Sequence, residues 1–221
     1  MSNNYEQEVC NILKETAIHQ KLKELKERTK TTGHITGNEF AFDVCSDGRI
    51  TEIIEGGVLG VNPDVIHKEC NYQIDLSFHS HPTDNSYPSS YDFLSDMDYR
   101  IRIASCVYGA KDDKVTCYRT SDEFKNKFKP ILDEASQEYL KLDEAYERAT
   151  DLKEKSKLFE QKWIAQEKYE NIIDKIRLNI VNNIYPNIDN IDKMSTYDSY
   201  KDRDPKFGNF GDVWIKDCGK I

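Results

Sequence analysis

From Glu39 to Thr120, apolar side chains recur at every second position in short runs, the period of strands covered on one face at a time. Glu39 to Cys45 (EFAFDVC) sets Phe40, Phe42 and Val44 on one side. Ser46-Asp47-Gly48 is a turn signal, and Ile50 to Ile54 reads as the returning strand of a hairpin. Gly56-Gly57 and Asn62-Pro63 punctuate the loop that follows. Tyr72 to His79 reads as a third strand, with Ile74, Leu76 and Phe78 on one face and Asp75, Ser77 and His79 on the other. A helix opening near Ser89 covers Tyr91 to Tyr99, and Ile101 to Tyr108 and Val115 to Arg119 supply two more strands. The pattern predicts an α+β fold, a mixed β-sheet flanked by helices.

Helical periods bracket this region. Residues 5–29 read as one helix, with Val9, Ile12, Leu13, Thr16, His19, Leu22 and Leu25 on a stripe, ended by Thr31-Thr32-Gly33. Beyond Thr120, Phe128, Ala135, Leu142 and Ala149 repeat every seven residues, with Leu132, Tyr139 and Tyr146 between them, a coiled-coil-like signal. Pro130 fits a first helical turn. Leu158 to Ile184 carries Tyr169, Ile173, Ile176, Ile180 and Ile184 on one side. The spacing admits one long helix or an antiparallel pair bending near Thr150–Ser156. Pro186 ends this stretch, and Val213-Trp214-Ile215 in the acidic tail can return as a short strand. The chain thus divides into a domain at 1–120, a helical region at 121–186 suited to self-association or partner binding, and a tail at 187–221.

Bulk properties narrow the function. The chain of 221 residues, 38% hydrophobic and 32% charged, suffices for one core with an appendage and holds no run suited to a membrane helix. A net charge of −9 opposes direct nucleic-acid binding, which needs a basic surface. The polar start MSNNYEQEVCNILKE lacks a signal-peptide core, so a cytoplasmic location is expected. Six cysteines without a C-x-x-C pair fit neither a zinc ribbon nor a disulfide-stapled mini-protein, and reduced thiols are the expectation.

The chemistry concentrates in FHSHPTDNSYPSSYDFLSDM, Phe78 to Met97. Residues two apart on a strand share a side, so His79 and His81 project together and can chelate one metal ion. Pro82 stops the strand. A helix starting at Ser89 places Asp92 one turn in, where its carboxylate can be a third ligand; the same Ser-x-x-Asp is also a capping box that starts a helix. Three protein ligands leave zinc a position for water, the arrangement of a catalytic site. His67 can line the site from a loop, but like His19 and His34 it reads better as a surface or structural histidine.

His79-Ser80-His81-Pro82, Thr83 to Pro88, Ser89 and Asp92 together resemble, without gaps, the signature H-x-H-P-x6-S-x-x-D of the JAB/MPN domain (the JAMM signature). The resemblance spans about Gly33 to Thr120. It implies a cytidine-deaminase-like zinc metallopeptidase fold, with one zinc ion per chain held by His79, His81 and Asp92. It also implies an upstream glutamate as general base toward the metal-activated water. Glu39, opening its strand, is the preferred position, with Glu52 and Glu55 as competitors, although relatives commonly carry a Gly- and Leu-rich strand there. Ser89 would donate to the developing oxyanion. The implied substrate is an amide or isopeptide bond, as at the C-terminal tail of a ubiquitin-like protein. The segments Glu55–Asn71 and Asp96–Ile101 are short for the insertions by which family deubiquitinases grip ubiquitin. The alternatives are a subunit whose JAB domain and helical region serve assembly, and a RadC-like, phage or defence-system hydrolase.

Overall fold

The computed structural model describes residues 5–58, 60–99, 101–184, 206–211 and 213–221. Its strands are β1 Phe40–Cys45, β2 Ile54–Glu55, β3 Ile74–His81, β4 Ile101–Gly109, β5 Lys114–Thr120, β6 Gly208–Asn209 and β7 Val213–Gly219. They form one mixed sheet in the order β2-β1-β3-β4-β5-β7-β6. β3 and β4 are parallel and the other neighbours antiparallel. The fold is α+β, as the alternation predicts.

Strand alternation sorts the core into two layers. Phe42, Leu76, Phe78, Ala104 and Cys106 face α1 (Tyr5–Ile12) and α2 (Thr16–Arg28), whose Leu22 and Leu25 are fully buried. On the other face, Val107, Tyr118, Val213 and Ile215 pack beneath α5 (Ser90–Asp98), α6 (Asp122–Arg148) and α7 (Leu152–Ile184). Phe93, Phe124, Ile176, Ile180 and Ile184 fill that layer, each burial contributing roughly 1.5–3 kcal/mol relative to exposure.

The helical region is an antiparallel hairpin. Glu138 pairs with Lys168 at 2.6 Å and Asp143 pairs with Lys162, so one helix descends as the other rises. Of the heptad residues, Leu132 and Ala135 are buried within α6, and Ala149 stands at its carboxyl end. The turn needs neither Gly nor Pro: Ala149 leaves the helix with ψ 132°, and Asp151 Oδ1 accepts from the N–H groups of Lys153 and Glu154 at 3.0 and 2.9 Å. Ser121 caps α6, so Pro130 falls inside the helix rather than in its first turn, and Asn126 loses its usual i+4 donor.

Several expectations need correction. The N-terminal helix breaks between Ile12 and Thr16, and α2 continues through a π-helical turn at Thr29–Gly33 into α3 (His34–Thr36). Gly37, at φ 76°, provides the left-handed stop expected nearer Gly33. The second strand shrinks to Ile54–Glu55 because Thr51 Oγ1 takes the Asp43 N–H at 2.9 Å, leaving one bridge, Val44 to Ile50, before it. The tail returns as the full strand β7, so the sheet is completed from beyond residue 187. Pro186 and the tail up to residue 205 lie outside the described residues.

The cysteines depart furthest from expectation. All six are paired, as Cys10–Cys218, Cys45–Cys70 and Cys106–Cys117. Cys106 and Cys117 face each other across the β4–β5 ladder, and Cys218 on β7 meets α1. Spacing conceals these partners because the sheet brings them together. Among the described residues no helix is long and apolar enough to cross a membrane.

Cys10–Cys218 closes a sequence separation of 208 residues, and long closures restrict the unfolded chain most. The Cys10→Ser/Cys218→Ser double variant is expected to lose about 2–5 kcal/mol of unfolding free energy in urea denaturation. An unchanged midpoint would refute this.

Candidate metal centre

The β1–β3 ladder sets the site. Ala41 lies opposite His79, so Glu39, Ala41, His79 and His81 share the face beneath α5. His79 and His81 occupy the carboxyl end of β3, where it runs parallel to β4, an edge at which open sheets commonly bind ligands. Proline then ends the strand, as its missing N–H requires.

The loop at 82–88 is seated on the turn between β4 and β5. Ala110 N–H donates to the His81 carbonyl at 3.0 Å and Lys111 N–H to the Asp84 carbonyl at 3.1 Å. Buried Ser86 donates through its N–H to Asp112 at 3.1 Å, and its hydroxyl meets Asp112 and Thr116 at 2.9 and 2.8 Å. Gly109 permits this seat: a Cβ there would stand 2.0 Å from Ser86 N and 2.3 Å from the Asn85 carbonyl carbon. The Asn85 carbonyl in turn lies 3.1 Å from His81 Nδ1, which fixes that nitrogen as the donor and leaves Nε2 to bind a metal.

Ser89 caps α5, and both readings of Ser-x-x-Asp hold together. Ser89 Oγ accepts the Asp92 N–H at 3.2 Å, and the Asp92 carboxylate accepts the Ser89 N–H. The same carboxylate faces the histidines, with Oδ1 3.2 Å from His79 Nε2 and Oδ2 3.6 Å from His81 Nε2. The two Nε2 atoms are 3.3 Å apart. His79, His81 and Asp92 each offer one ligand atom, all within 4.8 Å of one another, and this group could hold a metal ion.

Electrostatics agree with that geometry. Burial alone would raise the Asp92 carboxyl, yet the charges and hydrogen bonds of His79 and His81 hold it well below the usual carboxylate range. Burial opposes a charge on His81, but Asp92, with Glu39 and the Asn85 carbonyl, pushes its pKa up to about 9.

Glu39 lines the same cavity, about 650 Å³ in volume, together with Ser89 and the three candidate ligands. Its backbone pairs with the glycine turn beyond β2, through Gly57 at 3.2 Å and Gly56 at 2.8 Å. Burial raises its pKa, Asp92 and Asp84 adding to the rise against the pull of His79 and His81. The competitors stand elsewhere: Glu52 is exposed and pairs with Lys21 at 3.0 Å, and Glu55 accepts from Asn38 at 2.9 Å. Neither lines the cavity. Tyr118, held protonated by burial and the nearby acids Asp92 and Asp96, reaches the Asp92 carbonyl at 3.4 Å. The helical region also touches the site, because the Arg177 guanidinium of α7 covers the ring of Tyr91 on α5 at 4.7 Å.

Two parts of this site escape the sequence reading. The Asn85 carbonyl is backbone and carries no side-chain signal. Gly109 is marked only by the turn after β4. His67, for which the sequence admits a structural role or a place lining the site, is 3% exposed, pairs with Asp43 and lines the cavity. No protein-family model matches the chain, and a search of curated proteins returns no match.

Metal binding requires a neutral His81. In the metal-free protein its raised pKa makes the His81–Asp92 pair fully stabilising below about 6.5, and that stability is lost as pH rises through about 9. Metal affinity should therefore climb by about tenfold per pH unit between those values and level off above. Competitive zinc titrations across the range check this; a flat profile would refute it.

Proposed function

We propose that this chain is a JAB/MPN-type zinc metallopeptidase that hydrolyses an amide or isopeptide bond. The observation that carries the reading is the convergence of the His79–His81–Asp92 donor group and the Glu39 carboxylate on one cavity. The donor set fits zinc: two imidazole nitrogens and a carboxylate oxygen, with a carbonyl orienting one ring from behind. Bound there, one zinc ion per chain would supply Lewis acidity and make water acidic near neutral pH.

The chain's own residues divide the remaining work. Glu39, a carboxylate whose proton affinity burial raises, takes the proton of the attacking water and returns it to the leaving nitrogen. Ser89 accepts from the Asp92 N–H, and its O–H is the group that donates to the oxyanion. Asn85 and the capping box keep His81 and Asp92 in place. The cavity suits a few residues of extended peptide, such as the C-terminal tail of a ubiquitin-like protein. The RadC-like, phage and defence-system hydrolases would share this site and differ in substrate.

His81→Ala should lose both zinc and turnover, whereas Glu39→Gln should keep zinc and lose turnover. Zinc stoichiometry together with hydrolysis of a ubiquitin-like fusion bearing a C-terminal peptide extension reads both. Full activity in Glu39→Gln would reject the base assignment, and absence of zinc from the wild-type protein would reject the metallopeptidase.

The three disulfides favour an oxidising compartment.

A second reading, assembly through the helical hairpin, draws on its outer half. Leu152 is 85%, Trp163 62% and Ile164 65% exposed there. Light scattering of the full chain should show self-association that Trp163→Glu abolishes; a monomeric wild type would end this reading.

A further inference from the structure

The cavity continues along the sheet past the metal ligands, and its other end holds polar groups that hydrolysis does not use. Asp43, two residues beyond Ala41 on β1, shares the face of His79 and lies opposite Ser77. That places it about 7 Å along the strand from the Ala41–His79 pair. Its side chain is fully buried; Oδ2 lies 2.6 Å from Nδ1 of His67, and Oδ1 has no hydrogen-bond partner among the described residues. His67 ends α4 (Pro63–His67), and its ring meets the Tyr99 ring edge-on at 4.4 Å. Asp43 and Tyr99 thus fix the imidazole from two sides. Its Nε2 makes no hydrogen bond among the described residues, and His67 lines the cavity.

A staple between α4 and β1 would satisfy both carboxylate oxygens and both ring nitrogens, since buried polar groups are otherwise costly. Here one oxygen and one nitrogen are left over, the nitrogen on a residue that lines the cavity. With Asp43 accepting from Nδ1–H, the neutral ring presents Nε2 as a hydrogen-bond acceptor. The cavity lining includes Glu39, Asp92 and Asp96 and, among the described residues, no Lys or Arg, so an incoming anion is disfavoured and a donor favoured. Val61, Pro63, Ile66 and Ile101 make the walls between apolar.

We propose that His67, positioned by Asp43, forms a recognition subsite for a largely apolar side chain that ends in a hydrogen-bond donor. Nε2 accepts from that donor while the apolar stem fills the cavity. That the side chain flanks a scissile amide rests on the hydrolase reading; the subsite itself does not.

The probes p-cresol and p-xylene have the same shape and differ in a hydroxyl against a methyl. On the full chain, disulfides intact and metal removed by chelation, p-cresol should bind about tenfold more tightly than p-xylene. It should also shift the His67 Nε2 resonance in nitrogen-15 spectra. His67→Leu should keep p-xylene binding and erase the preference. Equal affinities, failure of both probes to bind, or a preference that survives in His67→Leu would overturn the proposal. If His67→Leu does not fold, an Nε2 resonance unmoved by p-cresol in the wild type overturns it equally. Metal-free protein excludes coordination of the phenol, so a negative result leaves the zinc reading untouched and a failure of zinc binding leaves the subsite testable.

Discussion

The pairing of β1 with β3 is the constraint on which the site depends. Ala41 opposite His79 puts Glu39, Asp43, His79 and His81 on one face of the sheet, beneath α5. Because strand side chains alternate, a slip of one residue in β1 would send Glu39 and Asp43 to the other face and bring Phe40 and Phe42 into the cavity. The register is guarded by apolar burial on the opposite side, where Phe42 stacks on Phe78 with ring centroids 4.5 Å apart. The hydrophobic effect on one face of the strand thereby aligns the ionisable groups on the other.

Much of this was legible in the sequence because it rests on short-range periods. His-x-His at a strand end and Ser-x-x-Asp at a helix start each specify a direction within a few residues, and the structure gathers all three ligand side chains into one group. Alternation also separates Ile74, Leu76 and Phe78 from Asp75, Ser77 and His79, as the burial of β3 bears out. What was not legible depends on contacts between distant segments. Cys106 meets Cys117 through sheet register, Cys10 meets Cys218 through closure of the whole chain, and His67 meets Asp43 because α4 packs over β1. Pro130 was misplaced for a local reason: the cap at Ser121 starts its helix earlier than the proline signal indicates.

The helical hairpin is continuous with the domain that carries the site. Ile176, Ile180 and Ile184 of α7 share one core cluster with Phe93 and Met97 of α5, the helix that supplies Asp92. Arg177 lies over Tyr91 on that same helix. A load on the outer half of the hairpin therefore has a packed route to Asp92 of the candidate metal group, through side chains already in contact.

The Cys10–Cys218 bond also changes what the chain is as a polymer. Backbone and disulfide together make a closed ring that contains β1 to β6, β7 up to Cys218, and α2 to α7. A single proteolytic nick anywhere in that ring opens it without dividing the molecule. Such a cut would remain invisible by mass on a non-reducing gel, and two pieces would appear only after reduction.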